Sequence, residues 1–155
     1  MQYFKSAGRG QFFKVMPEKT VIVCQYDFNP SIEVTSTDPK LIDALKAVPC
    51  SAEAFTRAHA EVSSLLKAQA DDITVAEYFK SEGGGQYLKV MGKRLLVVCA
   101  YDFAPGVELT ASNTALIAAL NCQPITRKEF RQAYPQISDY IAAQAVMVPV
   151  YAAAA

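Results

Sequence analysis

Along the first half of the chain, apolar and polar positions alternate with a period of two in four short stretches and then recur with a helical period in two more. The second half spells the same order again. Residues 3–5 are a short apolar-rich stretch, which the second half extends backwards over 73–79, and both predict a first strand. Glycines follow at 8 and 10, and at 83 and 85, the residue type that accepts the positive φ of a hairpin turn. In 11–16, Phe12, Lys14 and Met16 share one side of a second strand and Phe13 and Val15 the other, and 86–91 matches it. Pro17-Glu18 and Gly92-Lys93 mark the next turns.

The third stretch, 20–28 or 95–103, is long and apolar. Ile22, Cys24, Tyr26 and Phe28 line one side, but Val21 and Val23 make the opposite side apolar as well, so this strand needs cover on both faces. A second sheet, supplied by the other half of the chain, is the predicted cover. Asp27-Phe28-Asn29-Pro30 and Asp102-Phe103-Ala104-Pro105 end the strand, with the aspartates reading as turn residues that bond local backbone. A fourth strand, 32–35 or 107–110, turns Glu33 and Glu108 away from its apolar side.

Asp38-Pro39 reads as an N-cap followed by a first-turn proline, with Asn113 as the counterpart cap, and Leu41, Ile42 and Leu45 form the apolar side of a short helix over 39–48. A longer helix carries Phe55, Ala58, Val62, Leu65 and Leu66 on one stripe, repeated by Phe130, Ala133, Ile137, Tyr140 and Ile141. Ser51 caps the first of these, and Thr126 with Glu129 makes a capping box on the second. Pro135 removes one backbone donor, which predicts a kink or split costing about 3 kcal/mol.

Sliding the chain by 75 positions aligns 3–68 with 78–143 without a gap, and 27 of the 66 pairs are identical. This predicts an α+β fold: a tandem duplication of a ββββαα unit, packed as an intramolecular pseudo-dimer around paired antiparallel sheets, third strands central and helices outside. The boundaries fall at 1–72 and 73–143, leaving 144–155 as an apolar C-terminal arm. A copy of about 70 residues would bury only roughly 60% of its unfolded surface, so the two are expected to share a core.

Lys+Arg and Asp+Glu both number 15, which leaves no bulk cationic field, so any charged site is local. Neither a signal peptide nor an apolar run of about 18 residues is apparent, so the expected location is cytoplasmic, or in a virion component made there, with no membrane partner. The four cysteines form no CxxC pattern and His59 is the lone histidine, so buried, reduced thiols and no metal or cofactor are expected.

No nucleophile motif, metal-ligand spacing or acidic pair on a helix is present, so the chain reads as a non-enzyme with no catalytic residues. Asp27, Asp102, Glu33 and Glu108 are the one loophole, as repeated carboxylates that could meet at a pseudo-twofold axis. Charge is concentrated in 3–19 and 78–94, each with four basic side chains and one acidic, and aromatics lie among them. That mixture can neutralise phosphates while stacking bases. The candidate nucleic-acid contacts are Lys5, Arg9, Lys14, Lys80, Lys89 and Lys93 for phosphate, and Phe12 and Tyr87 for stacking.

Strand hairpins followed by a long helix, in tandem copies that pair within a chain, resemble PUR-type and Whirly-type single-strand binders, and GQFFKV and GQYLKV are similar to a PUR second strand. The short helix over 39–48 departs from that pattern. The resemblance implies single-stranded nucleic acid as a possible partner. The competing and preferred expectation is a non-catalytic assembly or interaction module, bound to a protein partner or to itself. Its arm would use Val146, Val148, Val150 and Tyr151, alternating apolar residues that need cover.

Overall fold

The computed structural model describes residues 2–8, 10–73 and 75–146. The elements run β1 (Gln2–Lys5), β2 (Gln11–Val15), β3 (Lys19–Cys24), β4 (Ser31–Ser36), α1 (Pro39–Ala44), β5 (Val48–Pro49) and α2 (Ala52–Asp71), then β6 (Glu77–Lys80), β7 (Gln86–Met91), β8 (Arg94–Cys99), β9 (Gly106–Ala111), α3 (Thr114–Ala119), β10 (Gln123–Pro124) and α4 (Arg127–Val146). The fold is α+β. Among the described residues no helix is long and apolar enough to cross a membrane.

Among the described residues the strands form one antiparallel sheet of ten, in the order β10-β6-β7-β8-β9-β4-β3-β2-β1-β5. The expectation of two paired sheets with the third strands central is therefore corrected. β4 and β9 are the central pair, joined edge to edge through Ser31 with Glu108, Ile32 with Val107 and Glu33 with Gly106. Two more backbone bonds extend the seam, Val34 N to Pro105 O and Leu109 N to Pro30 O, both 2.9 Å.

The apolar character of both sides of β3 and β8 has a different cause from the one expected. On one face Val21, Val23, Leu96 and Val98 pack with Ile32, Val34, Val107 and Leu109 under Phe55, Val62 and Leu66 of α2 and Phe130 and Ile141 of α4. On the other face Leu116 and Ile117 of α3 cover Leu88, Leu95 and Val97, and Phe13 and Ile22 at the counterpart positions are buried too. Over β7 and β8 a short helix, not a second sheet, supplies the second cover.

The caps read from sequence are made. Asp38 accepts from Lys40 N, Asn113 from Ala115 N and Leu116 N, Ser51 from Ala54 N, and Thr126 from Glu129 N. The short helices end earlier than expected, because Lys46 and Asn121 adopt left-handed φ of 51° and 49°. The chain then enters β5 and β10, which are absent from the sequence reading and pair with β1 and β6. β6 begins at Glu77, while Ile73 and Val75, expected in a strand, are exposed. α4 continues through Pro135 without splitting. Pro135 lies on its exposed side, where water can serve the carbonyl the proline leaves free.

Each long helix starts over one half of the sheet and ends over the other. Phe55 of α2 packs on Tyr3 of β1, with ring centroids 5.6 Å apart, yet the last carbonyls of α2 reach Lys89 of β7. Phe130 of α4 packs on Tyr78 of β6 at 5.4 Å, and its last carbonyls reach Lys14 of β2.

Candidate functional site

The candidate phosphate contacts are not gathered on one surface. Lys14 and Lys89 are fully buried, 0% exposed, on the α2/α4 side of the sheet. Lys89 Nζ donates to Gln69 O (2.7 Å), Ala70 O (3.1 Å) and Asp72 O (2.7 Å), and Lys14 Nζ to Gln144 O (2.9 Å) and Ala145 O (3.1 Å). Both ammoniums meet the negative ends of helix macrodipoles. Burial pushes both pKa values below the ordinary lysine value, and for Lys89 the Arg127 and Arg131 charges add to this while Asp72 and Asp71 oppose it. These two residues are removed from the phosphate set, because the side-chain alternation that placed them beside Phe12 and Met16 puts that whole face against the helices.

Phe12 and Tyr87, expected to stack bases, pack against the same core and are half-buried. Lys80 bonds Glu129 Oε2 at 3.0 Å. Lys5 is half-buried, close enough to Cys50 for its charge to act on the thiol, and Lys93 is exposed in the β7–β8 turn. Arg9 lies outside the described residues. So do Val148, Val150 and Tyr151 of the arm, while Val146 is the last residue of α4.

Cys24 and Cys99 were expected to be buried; they are half-buried and free, as are Cys50 and Cys122. They stand mid-sheet on the α1/α3 side, Cys99 packed against the apolar cluster that α3 covers, with Sγ accepting from Gln11 Nε2 (3.5 Å) and Gln86 Nε2 (3.4 Å). Glu33 and Glu108 flank the Ile32–Val107 pair on that face. Loss of hydration, reinforced by the Glu108 charge, holds the Glu33 carboxyl above the usual carboxylate range. Among the described residues no group of three or more His, Cys, Asp or Glu side chains is arranged to hold a metal.

The surface that stands out is built by the loops after β3 and β8. Tyr26 stacks on Phe28 with centroids 5.3 Å apart and planes 14° apart, and Tyr101 stacks on Phe103 at 5.3 Å and 15°. Each tyrosine is seated over a glycine. A Cβ on Gly10 would overlap Tyr26 Cε1, and one on Gly85 would overlap Tyr101 Cε1. The phenylalanines are left 76% and 74% exposed. In the orientation that satisfies its amide, Asn29 donates to Leu109 O and Glu108 Oε2, both 3.2 Å, which ties the first loop to the central strand.

Beside Tyr26, between its loop, α2 and Arg94 of β8, lies an open cleft of about 430 Å³. Gln25 Nε2 donates to Glu61 Oε2 at its rim, 2.9 Å. The counterpart position beside α4 differs. Lys19 Nζ donates to the Tyr140 hydroxyl at 2.9 Å and lies 5.5 Å from its ring centroid. That bond is the leading cause of the raised Lys19 pKa.

The sequence displayed these loops twice, as Tyr-Asp-Phe before a proline turn, but reading Phe28 and Phe103 as the end of a strand hid their exposure. Chain direction changes after Cys24 and Cys99, so the alternation that buries Ile22 no longer governs Tyr26 and Phe28. No family model, curated protein or solved structure matches this chain significantly.

Proposed function

We propose that the chain is two copies of one unit, paired about a pseudo-twofold axis between β4 and β9, and that this body is a non-catalytic interaction module presenting two aromatic loops to a protein partner. In support of the duplication, elements 75 residues apart correspond throughout, from the buried lysines to the left-handed residues that end the short helices. In support of the interaction role stands one observation: two phenylalanines, each stacked on a glycine-seated tyrosine, left about three-quarters exposed at equivalent places. Covering a phenylalanine side chain is worth about 1.5–3 kcal/mol, so two such rings supply a substantial share of a modest interface.

The test compares the wild-type protein with a Phe28→Ser/Phe103→Ser double variant of matched thermal stability, in affinity capture and in light scattering across concentration. A protein partner, or self-association, retained by the wild type and lost by the variant is the expected result. Equal capture and equal mass for both proteins would remove the reading. Single-stranded nucleic acid is the second reading, favoured by Arg127, Lys128 and Arg131 around a shallow hollow at the start of α4. It predicts a mass increase with a single-stranded oligonucleotide at low salt that fades steeply as salt is raised.

A further inference from the structure

The two aromatic loops are alike, but their surroundings are not. Position 65 is leucine on α2 and its counterpart on α4 is Tyr140; position 94 is arginine on β8 and its counterpart on β3 is Lys19. Lys19 and Tyr140, the counterparts of Arg94 and Leu65, bond to each other. Leu65 has no polar atom with which to do the same for Arg94, and the space beside Tyr26 is the open cleft of about 430 Å³.

Gln25, Tyr26, Asp27, Glu61, Leu65 and Arg94 line that cleft. Two carboxylates and one guanidinium line it, so its formal charge is negative although the whole chain is neutral. Leu65, 42% exposed, offers an apolar strip for an alkyl stem, and Tyr26 borders the cleft beside it. A carboxylate pair beside an apolar strip is complementary to a long basic side chain and repels a phosphate.

We propose that the cleft beside Tyr26 receives an arginine or lysine side chain presented by a partner protein, and that the Lys19–Tyr140 bridge closes the equivalent place beside Tyr101. The assignment rests on the interaction-module reading and gives it a direction: the first loop accepts a basic anchor, and the second contributes its aromatic pair alone. Arg94 opposes the incoming charge and limits the cleft to one cation.

The test is a two-dimensional NMR titration of the full chain with the blocked tripeptide Gly-Arg-Gly, alongside Gly-Glu-Gly and an octamer of thymidylate. Saturable shifts at Gln25, Tyr26, Asp27, Glu61 and Arg94 with the arginine peptide alone are expected. Asp27→Asn and Glu61→Gln should each weaken binding by about two- to fivefold, the range an exposed ion pair supplies. Arg94→Ala should tighten it, whereas an anionic ligand would bind more weakly to that variant. Tyr140→Leu should create a second responding set around Tyr101, and Leu65→Tyr should silence the first; both positions are partly exposed, so neither change disturbs the core. Absence of saturable shifts at the cleft, a response to the glutamate peptide or the oligonucleotide there, or weakening by Arg94→Ala overturns the assignment. If the phenylalanine variant loses its partner while the arginine peptide leaves the cleft untouched, the interaction reading survives and the basic anchor falls.

Discussion

Lys14 and Ala145 stand 131 positions apart in sequence, and the ammonium of one donates to the carbonyl of the other at 3.1 Å in the interior of the protein. Lys89 and Ala70 repeat the contact at 3.1 Å. Each lysine serves a helix that began over the opposite half of the sheet, so neither half completes its own helix ends.

Lys89→Met should lower unfolding free energy by about 2–3 kcal/mol, because a hydrogen-bonded buried charge is lost and helix-terminal carbonyls are left without it. Urea melts measure it. The pH dependence follows from the lowered pKa: the native state binds the Lys89 proton less tightly than the unfolded state, so wild-type stability rises with pH between the folded value and 10.5. The deficit of the variant should therefore widen across that window.

Glu33→Gln should stabilise the protein at neutral pH. The folded pKa of Glu33 lies above its ordinary 4.5, so the native state disfavours the ionised form, and the penalty is fully present once the pH exceeds the folded value. It fades as pH falls through the folded value. Melting curves at pH 7.5 and 4.5 should show an advantage for the variant at the first that shrinks at the second; an equal advantage at both would exclude ionisation as its source.

Lys46→Gly should add about 0.5–1 kcal/mol, since Lys46 holds a φ of 51° where a side chain is strained and glycine is not. Asn121→Gly, at a φ of 49°, should gain less, because asparagine tolerates that region better than lysine. Paired thermal melts check the ranking.

Gly85→Ala should dislodge Tyr101, whose ring occupies the space of the added methyl, and so separate it from Phe103. Tyr101 is partly exposed and can swing outwards, so the stability cost should stay near 1 kcal/mol, at the low end for overpacking. Loss of the ring-current shifts between the two side chains is the diagnostic readout. Unchanged shifts would mean that the tyrosine does not depend on the glycine seat.

Eight of the ten described strands, the caps and most of the helical stripes were legible because each is encoded locally: Asp38, Asn113, Ser51 and Thr126 bond backbone within three residues of themselves. By contrast, β5 and β10 carried no such signal, and Leu65 and Tyr140, read onto the stripes, are exposed. The joining of the halves was not. Ile32 and Val107 read alike whether they face a second sheet or adjoin at a shared seam, and three register pairs decide between the two. Lys14 and Lys89 misled for a related reason. Their charge suggested a surface, but their positions beside Phe12, Met16, Tyr87 and Met91 already assigned them to an apolar side, and only the arriving helix ends make that side tolerable. Arg94 and Tyr140 carried no local signal at all, since the contrast between the two clefts exists only once distant elements meet.

The outermost strands of the sheet, β5 and β10, are two residues long and each ends in proline, Pro49 or Pro124. A chain arriving to lengthen the sheet would find at each border a short rung and a ring in place of a donor. Among the described residues, therefore, both borders of the sheet resist the addition of further strands that would build a fibre.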